Sequence, residues 1–368
     1  MKSQNLICML FIATSFIGFA QEISFVNHDG FLSVGTMENR TASVNLADVD
    51  GDGDLDALVA NGRHWAEQNY VFYNVNGSFK KAIPLGIELN ASYAIQAADF
   101  DNDGYVDLVV GNDRTTNSFF YGNSDGSFSS GPAFGDEEAP TRNLTVADMN
   151  NDGNVDILLS NRNAQNELCM GNGDGTFSCQ KFGEDTDQTT QLVAADMDQD
   201  GRLDILAANR GQANRIYFGD KEGNYIDTTT FGTGSDNTRS IAVADFNMDG
   251  KLDIVLGNLG APNEIYLKKG ASFSKAYSFP ESLDTTAIAA ADFNQDGIPD
   301  VVMGISEAEN YMYVGNSKMT DFKKVVLGPA AMDTYAISIG DINGDDIPDI
   351  VVANSGGLNL YYRTQLKK

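Results

Sequence analysis

Several residue types and patterns are scarce in this chain, and each scarcity argues against a class of protein. Only three cysteines and two histidines occur in 368 residues, and they do not form a set of zinc ligands. Lys and Arg number 24 against 52 Asp and Glu, whereas nucleic-acid binding needs a basic face. No phosphate-binding loop and no sustained helical periodicity are visible after residue 20. Zinc hydrolases, nucleotide enzymes and nucleic-acid-binding proteins are therefore not indicated.

Long apolar runs are also rare, and the clearest one lies at the N-terminus. A basic residue precedes an apolar run over residues 6–19, and the small residues Gly18 and Ala20 suit a cleavage site. This pattern is typical of a secretory signal, and the run is shorter than a membrane span requires. We therefore predict a signal peptide at residues 1–20, a mature domain at residues 21–368, and secretion to the periplasm or the extracellular space. We expect no membrane span in the mature chain.

The chain does contain a nine-residue acidic motif that returns seven times. The first aspartates of successive copies are 51, 49, 48, 49, 47 and 49 residues apart. A period in this range is typical of solenoids, propellers and repeat arrays. Seven such units use nearly all of the mature chain, which leaves no room for a second domain. The copies are residues 48–56, 99–107, 148–156, 196–204, 245–253, 292–300 and 341–349.

Each repeat holds four short extended runs bounded by Gly, Asn and Asp clusters. In the second repeat, the first three runs are residues 94–98, 106–110 and 118–121. Such runs indicate strands, and radially arranged four-stranded antiparallel units form a β-propeller. We therefore predict an all-β, seven-bladed propeller. The seventh repeat ends after its third strand, so an N-terminal strand over residues 25–34 is expected to complete the last blade and protect both edges.

The repeated motif has the composition of a calcium-binding loop. Calcium takes six to eight oxygen ligands, and side chains at positions 1, 3, 5 and 9 with a backbone carbonyl at position 7 would supply most of them. The first nine positions of an EF-hand loop are similar, although the acidic residue at position 12 is missing. Asn replaces Asp at position 3 in four loops, where weaker binding is expected, and Asp346 stands where glycine is expected at position 6.

These loops explain the acidity of the protein. Positions 1, 3, 5 and 9 provide 24 of the 52 acidic residues, so the formal charge of −28 is mainly a signature of metal sites. We predict up to seven structural Ca²⁺ ions. The predicted metal-binding residues are Asp48, Asp50, Asp52, Asp54, Asp56, Asp99, Asp101, Asp103, Tyr105, Asp107, Asp148, Asn150, Asp152, Asn154, Asp156, Asp196, Asp198, Asp200, Arg202, Asp204, Asp245, Asn247, Asp249, Lys251, Asp253, Asp292, Asn294, Asp296, Ile298, Asp300, Asp341, Asn343, Asp345, Ile347 and Asp349.

Two cysteines remain in the mature chain. Cys169 and Cys179 lie symmetrically about the turn at residues 172–175, which places them on two strands of one hairpin. An oxidising compartment would allow a disulfide between them, and the alternative is a pair of reduced thiols packed side by side.

The repeats resemble the FG-GAP, or VCBS-type, repeats of integrin α-subunit propellers and of many secreted bacterial proteins. The fifth repeat carries Phe231 and Gly232 and then Gly260, Ala261 and Pro262, as the family name describes. The resemblance covers nearly the whole mature chain. It implies seven blades with calcium between the first and second strands, and a ligand on the opposite face. Proteins with such repeats include adhesion receptors, lectins and polysaccharide lyases, so the resemblance leaves the function open.

The arginines indicate which face binds a ligand. Seven of ten arginines fall in the loops between strands 2 and 3, in the connections between blades, or at their strand junctions. Arginine binds carboxylate, sulfate or phosphate in two places, and aromatic rings with hydrogen-bond donors suit sugars. The alternative is charge balance with the loop acids Glu38, Asp136, Glu137 and Asp236. The predicted ligand-binding residues are Arg40, Arg63, His64, Trp65, Tyr93, Arg114, Arg142, Arg162, Arg210, Arg239 and Tyr335.

Two functions from different classes follow. The first is a binding module, expected to be a monomer, that holds a glycan or an extracellular protein on the arginine-bearing face. The second is a polysaccharide lyase for uronate-containing chains, in which arginine would neutralise the carboxylate. His64, Tyr93 or Tyr335 would then act as base and acid. The sequence shows no acid–base pair by spacing and no inserted catalytic loops, so it favours the binding module.

Overall fold

The structure is a computed structural model that describes residues 21–27 and 32–367, and every regular element within them is a β-strand. The predicted signal peptide lies outside the described residues. No helix in the described ranges is long and apolar enough to cross a membrane. The strands form seven antiparallel sheets, which we call blades 1 to 7.

The strands follow one another in the order predicted. Blade 1 contains β3 (Thr41–Ala47), β4 (Asp56–Asn61), β5 (Tyr70–Asn74) and β6 (Phe79–Pro84); blade 2 contains β7 (Ser92–Ala98), β8 (Asp107–Asn112), β9 (Ser118–Gly122) and β10 (Phe128–Ser130). Blade 3 contains β11 (Thr141–Ala147), β12 (Asp156–Asn161), β13 (Asn166–Gly171) and β14 (Phe177–Phe182); blade 4 contains β15 (Thr189–Ala195), β16 (Asp204–Asn209), β17 (Asn214–Tyr217) and β18 (Thr228–Phe231). Blade 5 contains β19 (Thr238–Ala244), β20 (Asp253–Asn258), β21 (Glu264–Lys269) and β22 (Ser272–Ser278); blade 6 contains β23 (Thr285–Ala291), β24 (Asp300–Ile305), β25 (Ala308–Val314) and β26 (Lys323–Met332). Blade 7 contains β27 (Thr334–Gly340), β28 (Asp349–Asn354) and β29 (Asn359–Lys367), joined by β1 (Glu22–Val26) and β2 (Ser33–Val34).

The first strands of the blades form the inner ring of the molecule. Each first strand contacts the first strand of the next blade, and β27 of blade 7 contacts β3 of blade 1. A closed ring of radially arranged four-stranded sheets is a β-propeller. The predicted all-β, seven-bladed propeller is therefore confirmed.

The N-terminal segment completes blade 7, as predicted, although its bounds differ. β1 pairs with β29 from Glu22 opposite Lys367 to Val26 opposite Arg363, and β2 pairs with β29 at Ser33 and Val34. The prediction began this strand at residue 25 and continued it to residue 34, of which residues 28–31 lie outside the described ranges. Because β29 is longer than the other third strands of the ring, it has room to pair with two N-terminal segments.

The hydrophobic core lies between neighbouring blades. All residues of the second strands are buried, because these strands are covered on both faces. The interface that closes the ring packs Val44 and Phe72 of blade 1 against Ile342 and Tyr361 of blade 7. Burial of each large apolar side chain contributes about 1.5–3 kcal/mol. The closing interface is thus held by the same kind of contact as the other interfaces.

A repeated hydrogen bond also links the blades. An asparagine at the start of a third strand donates from Nδ2 to the hydroxyl that begins the next blade, over 2.8–3.0 Å at six interfaces. In six blades that hydroxyl donates to an asparagine at the end of its own second strand. These buried side chains therefore join three strands and two blades. In the sequence, this network corresponds to two asparagines and one Ser or Thr that recur with the acidic motif.

Candidate functional site

The ninth residue of each acidic loop holds three strands of its blade together. Asp107 begins β8 and is buried; its two oxygens accept hydrogen bonds from the backbone N–H of Phe100 at 2.9 Å and of Gly122 at 2.7 Å. The equivalent aspartates of the other loops accept the same two bonds. The sequence pattern indicates position 9 only as a metal ligand and does not reveal this structural role.

Burial raises the pKa of the position-9 carboxyls, and neighbouring loop acids raise it further against the lowering effect of the backbone hydrogen bonds. The pKa is raised to about 6 in Asp56, Asp107, Asp156 and Asp253 and to about 7 in Asp300 and Asp349, and it is also raised in Asp204. A nearby cation would offset this repulsion.

The acidic loops share one conformation. The position-1 carboxylate accepts the N–H of position 6, for example Gly104 to Asp99 at 3.0 Å. Position 6 has a positive φ in every loop, including φ 63° at Asp346, where a non-glycine residue occupies the left-handed region. The backbone therefore turns sharply in all seven loops.

Three loops bring their carboxylates close enough to share one ion. The carboxylate oxygens of positions 1, 3 and 9 lie within 4.8 Å of one another in the loops that begin at Asp48, Asp99 and Asp196. Oxygen-only ligands suit a hard divalent cation, so these residues fit Ca²⁺. In the loops that begin at Asp196 and Asp245, the position-7 side chains Arg202 and Lys251 pair with the position-5 carboxylates. An internal cation of this kind competes with a metal ion.

On the opposite face, a β-bulge occurs at the start of every first strand. In all seven blades the register with the second strand shifts between the first and third residues of the first strand. The second residue is the extra residue of the bulge, and bulges redirect side chains. The bulge residues are Ala42, Tyr93, Arg142, Thr190, Arg239, Thr286 and Tyr335.

Six of these bulge residues line one cavity, which we call the axial mouth. It has a volume of about 260 Å³ and receives residues from all seven blades. It contains five of the seven predicted arginines, together with His64, Tyr93 and Tyr335. Its lining residues are Arg63, His64, Tyr93, Arg142, Arg162, Thr190, Arg210, Arg239, Leu259, Asp284, Thr286, Ser306 and Tyr335.

The arginines of the axial mouth differ in their partners. Arg142 is buried and its Nη1 lies 2.8 Å from Asp113, whereas Nη1 of Arg63 lies 3.8 Å from Asp333. Arg162, Arg210 and Arg239 form no ion pair with another described residue. Among the described residues, none of the acidic partners suggested by the sequence forms an ion pair with an arginine, and Asp136 instead pairs with Lys181.

Burial and the crowding of like charges both act on the arginines of the mouth. Burial lowers the pKa of Arg239 to about 10, and the nearby charges of Arg142 and Arg162 lower it as well. The buried Nε atoms of Arg63 and Arg142 and the Nη1 atom of Arg63 have no hydrogen-bond partner among the described residues. Buried donors without partners are costly, so these two guanidinium groups are held in place at a cost in stability.

Aromatic rings support the arginines. The guanidinium carbon of Arg63 lies 3.7 Å from the centre of the Tyr335 ring, and that of Arg142 lies 4.2 Å from the centre of the Tyr93 ring. The hydroxyl of Tyr93 also lies 2.9 Å from Nδ1 of His64. Partial burial lowers the pKa of His64, and the charges of Arg63 and Arg142 act in the same direction. The fold thus creates a His–Tyr pair beside two arginines.

The remaining predicted residues lie outside the mouth. Arg40 contacts Glu67 and stacks 5.5 Å from the centre of the Trp65 ring, which is 63% exposed on the rim of blade 1. Arg114 lies in a second cavity of about 280 Å³, here called the cleft, between the loops of blades 2 and 3. Arg162 lines both cavities.

Comparisons with known proteins support the fold. Two crystal structures of BBS1N in complex with ARL6DN, one soaked with mercury and one with lead, are similar to this chain with a TM-score of 0.65 each. The first is 13% identical and the match covers 92% of this chain and 96% of that one; for the second the values are 12%, 94% and 97%. No curated protein sequence matches the chain.

A family model described as an FG-GAP-like repeat matches the sequence in six overlapping segments. These are residues 48–110, 99–159, 148–207, 196–256, 245–303 and 292–352. Each segment extends from one acidic loop into the second strand of the next blade, so together they follow the ring from blade 1 to blade 7. The chain therefore belongs to the FG-GAP-like repeat family.

Proposed function

We propose that this protein is a secreted, calcium-stabilised binding module that holds an anionic glycan in the axial mouth. The observation that carries this proposal is the convergence of five arginines in one cavity of a chain whose formal charge is −28. A cavity lined by charges of one sign concentrates its field and attracts ligands of the opposite sign. Three of these arginines have no acidic partner among the described residues, so their charge is available.

The other lining groups favour a sugar over a small inorganic anion. Tyr93 and Tyr335 line the cavity with rings on which Arg142 and Arg63 stack. Thr190, Thr286 and Ser306 contribute hydroxyl oxygens that can accept from a sugar, since their own protons are donated within the protein. Ligand pockets for organic molecules combine such apolar surfaces with a few polar groups that fix orientation. The planar guanidinium groups can bind a carboxylate or a sulfate with two parallel hydrogen bonds.

Calcium and secretion belong to the same proposal. Ions in the acidic loops would balance the repulsion of their carboxylates and stabilise the face opposite the mouth. The signal-like residues 1–20 and the bond between the sulfur atoms of Cys169 and Cys179 suit an oxidising compartment outside the cytoplasm.

Binding can be tested by titration of the full mature chain with three polyanions: a polyuronate, a sulfated polysaccharide and poly-glutamate. We expect a polysaccharide to bind, and Arg239→Gln to weaken it about tenfold or more, because a charge-assisted hydrogen bond is lost. The matched control is Lys269→Gln, which removes an exposed positive charge at the end of β21 and should leave affinity unchanged. Equal binding by wild type and Arg239→Gln would reject the mouth as the site.

The titration with poly-glutamate tests whether the ligand is a protein rather than a glycan. The similar BBS1N propellers were crystallised in complex with ARL6DN, so a protein partner is the other ligand class to examine. Tighter binding of poly-glutamate than of either polysaccharide, with the same loss in Arg239→Gln, would replace the glycan by an acidic protein segment.

A polysaccharide lyase is the second candidate, favoured by the 2.9 Å contact between His64 and Tyr93 beside Arg142. In this reaction a base removes the C5 proton of a uronate, the C4–O bond breaks, the leaving oxygen takes a proton, and a C4–C5 double bond forms. The test is ultraviolet absorbance of the unsaturated product during incubation with polyuronate. Absorbance that grows with wild type and is lost in His64→Gln would establish the lyase and overturn a binding-only function.

A further inference from the structure

The cleft beside the axial mouth has a different chemistry from the mouth. Its charged lining consists of three basic residues, Arg114, Arg162 and Lys181, and three acidic residues, Asp136, Glu138 and Glu167. The mouth carries five arginines and a single lining acid, Asp284. The cleft is therefore balanced in charge, whereas the mouth is strongly positive.

Most of the cleft acids are already engaged. Asp136 accepts from Nζ of Lys181 at 2.5 Å, and Glu167 is buried with its oxygens accepting from Asn161 at 2.9 Å and from the N–H of Asp136 at 3.0 Å. Glu138 is exposed and forms no ion pair with another described residue. A second anionic group that entered the cleft would meet this free carboxylate.

Polar groups of both kinds are available in the cleft. Arg114 and Arg162 offer N–H donors, Glu138 offers an acceptor, and the amide of Gln165 offers both. A sugar hydroxyl can donate and accept at the same time, so an uncharged sugar satisfies this mixture. A carboxylate can only accept, so it cannot donate to Glu138, and the two negative charges would repel each other.

The two cavities are adjoining. Arg162 lines both, and neither cavity of about 260 or 280 Å³ reaches the range of about 300–1,000 Å³ that is common for ligand pockets. The combined volume of the two cavities falls within that range. A ligand of ordinary size would therefore need space beyond the mouth, and the cleft, which shares Arg162 with it, offers that space.

From this geometry we infer that the protein selects an acidic oligosaccharide in which an uncharged sugar adjoins the anionic one. The anionic group binds in the axial mouth, and the uncharged neighbour binds in the cleft. This inference depends on the proposed function, because it requires an anionic glycan in the mouth.

Calorimetric titration with two tetrasaccharides of equal length tests the inference. One alternates uronate with N-acetylhexosamine, and the other consists of uronate alone. We expect wild type to bind the alternating ligand several-fold more tightly, although simple charge attraction would favour the all-uronate ligand. Glu138→Gln should raise the affinity for the all-uronate ligand about two- to fivefold, which is the effect of one exposed charge. The difference in affinity between the two ligands should therefore become smaller. Glu137→Gln is the matched control, because Glu137 is also exposed but does not line the cleft.

The outcomes separate this inference from the proposed function. If wild type binds the all-uronate ligand as tightly or more tightly, or if Glu138→Gln and Glu137→Gln behave alike, the cleft inference is wrong. If Arg239→Gln then still weakens both ligands, the proposed function stands. If neither tetrasaccharide binds, or Arg239→Gln changes neither affinity, both the cleft inference and the mouth assignment are rejected.

Discussion

Asn359 of blade 7 donates from Nδ2 to Oγ1 of Thr41 in blade 1 over 3.0 Å, which hydrogen-bonds the last blade to the first. Its Oδ1 accepts the backbone N–H of Asn354 at 2.8 Å. Asn117 of blade 2 accepts the equivalent N–H, from Asn112 at 2.9 Å, but its Nδ2 has no partner among the described residues. Asn359 therefore forms a hydrogen bond between blades, whereas Asn117 does not form the equivalent bond with a described residue.

This difference allows the bond between blades to be measured. Both Asn359→Ala and Asn117→Ala leave a buried backbone N–H without its acceptor, which costs about 1–3 kcal/mol. We expect Asn359→Ala to cost about 0.5–1.5 kcal/mol more in the free energy of unfolding, the net value of one hydrogen bond. Urea denaturation monitored by fluorescence gives both values. A loss in Asn117→Ala as large as that in Asn359→Ala would contradict the assignment.

Calcium should stabilise the protein through the acidic loops. Chelation is expected to lower the melting temperature, and each site filled at 100 times its dissociation constant adds about 2.7 kcal/mol. In the loop that begins at Asp48, Asp50→Asn should reduce the shift caused by calcium, because Asp50 is one of three converging carboxylates.

Asp54→Asn is the control within the same loop, since position 7 is expected to contribute its backbone carbonyl. Thermal shift assays of both variants with EGTA and with added calcium provide the comparison. A melting temperature that does not change with EGTA, or an equal effect of the two substitutions on the calcium shift, would rule out the proposed sites.

Substitution of two arginines of the axial mouth should have different effects on stability. Arg142→Gln removes the partner of Asp113, whose side chain is only 15% exposed, and an unpaired group of this kind costs about 1–3 kcal/mol. Arg239→Gln removes a charge that lies near Arg142 and Arg162 and has no acidic partner, so the melting temperature should stay the same or rise. Differential scanning calorimetry distinguishes these results. A large loss in Arg239→Gln would mean that its guanidinium has a structural role.

His64 should report on occupancy of the mouth. Its pKa is lowered by partial burial and by the charges of Arg63 and Arg142. The folded protein therefore resists protonation of His64, and this residue reduces stability as the pH falls below about 6.5, the pKa of an unperturbed histidine.

An NMR titration of the imidazole, assigned by comparison with His64→Gln, should give a pKa below that reference value. A bound polyanion should raise the pKa, because it neutralises the neighbouring arginines. A pKa that stays constant while the anion binds would place the anion elsewhere.

Local patterns in the sequence were sufficient to predict most of the fold. Strand-forming runs and the period of the acidic motif depend on residues close in the chain, so blade number, strand order and ring closure could be inferred. The N-terminal strand was predicted too far along the chain, because its true start at Glu22 depends on the length of its partner β29. The structural role of Asp107 and its equivalents was missed because one of its two bonds comes from the third strand.

The sequence by itself determined that seven acidic loops and seven arginine-bearing loop regions would lie on opposite faces, since antiparallel strands send successive loops to alternate ends. Only the tertiary structure decided which arginines meet. The β-bulges turn Tyr93, Arg142, Arg239 and Tyr335 toward the axis, and no alternation of apolar residues reveals an extra residue in a strand. The axial mouth and its neighbouring cleft form between residues from different blades, whose proximity arises only when the ring closes.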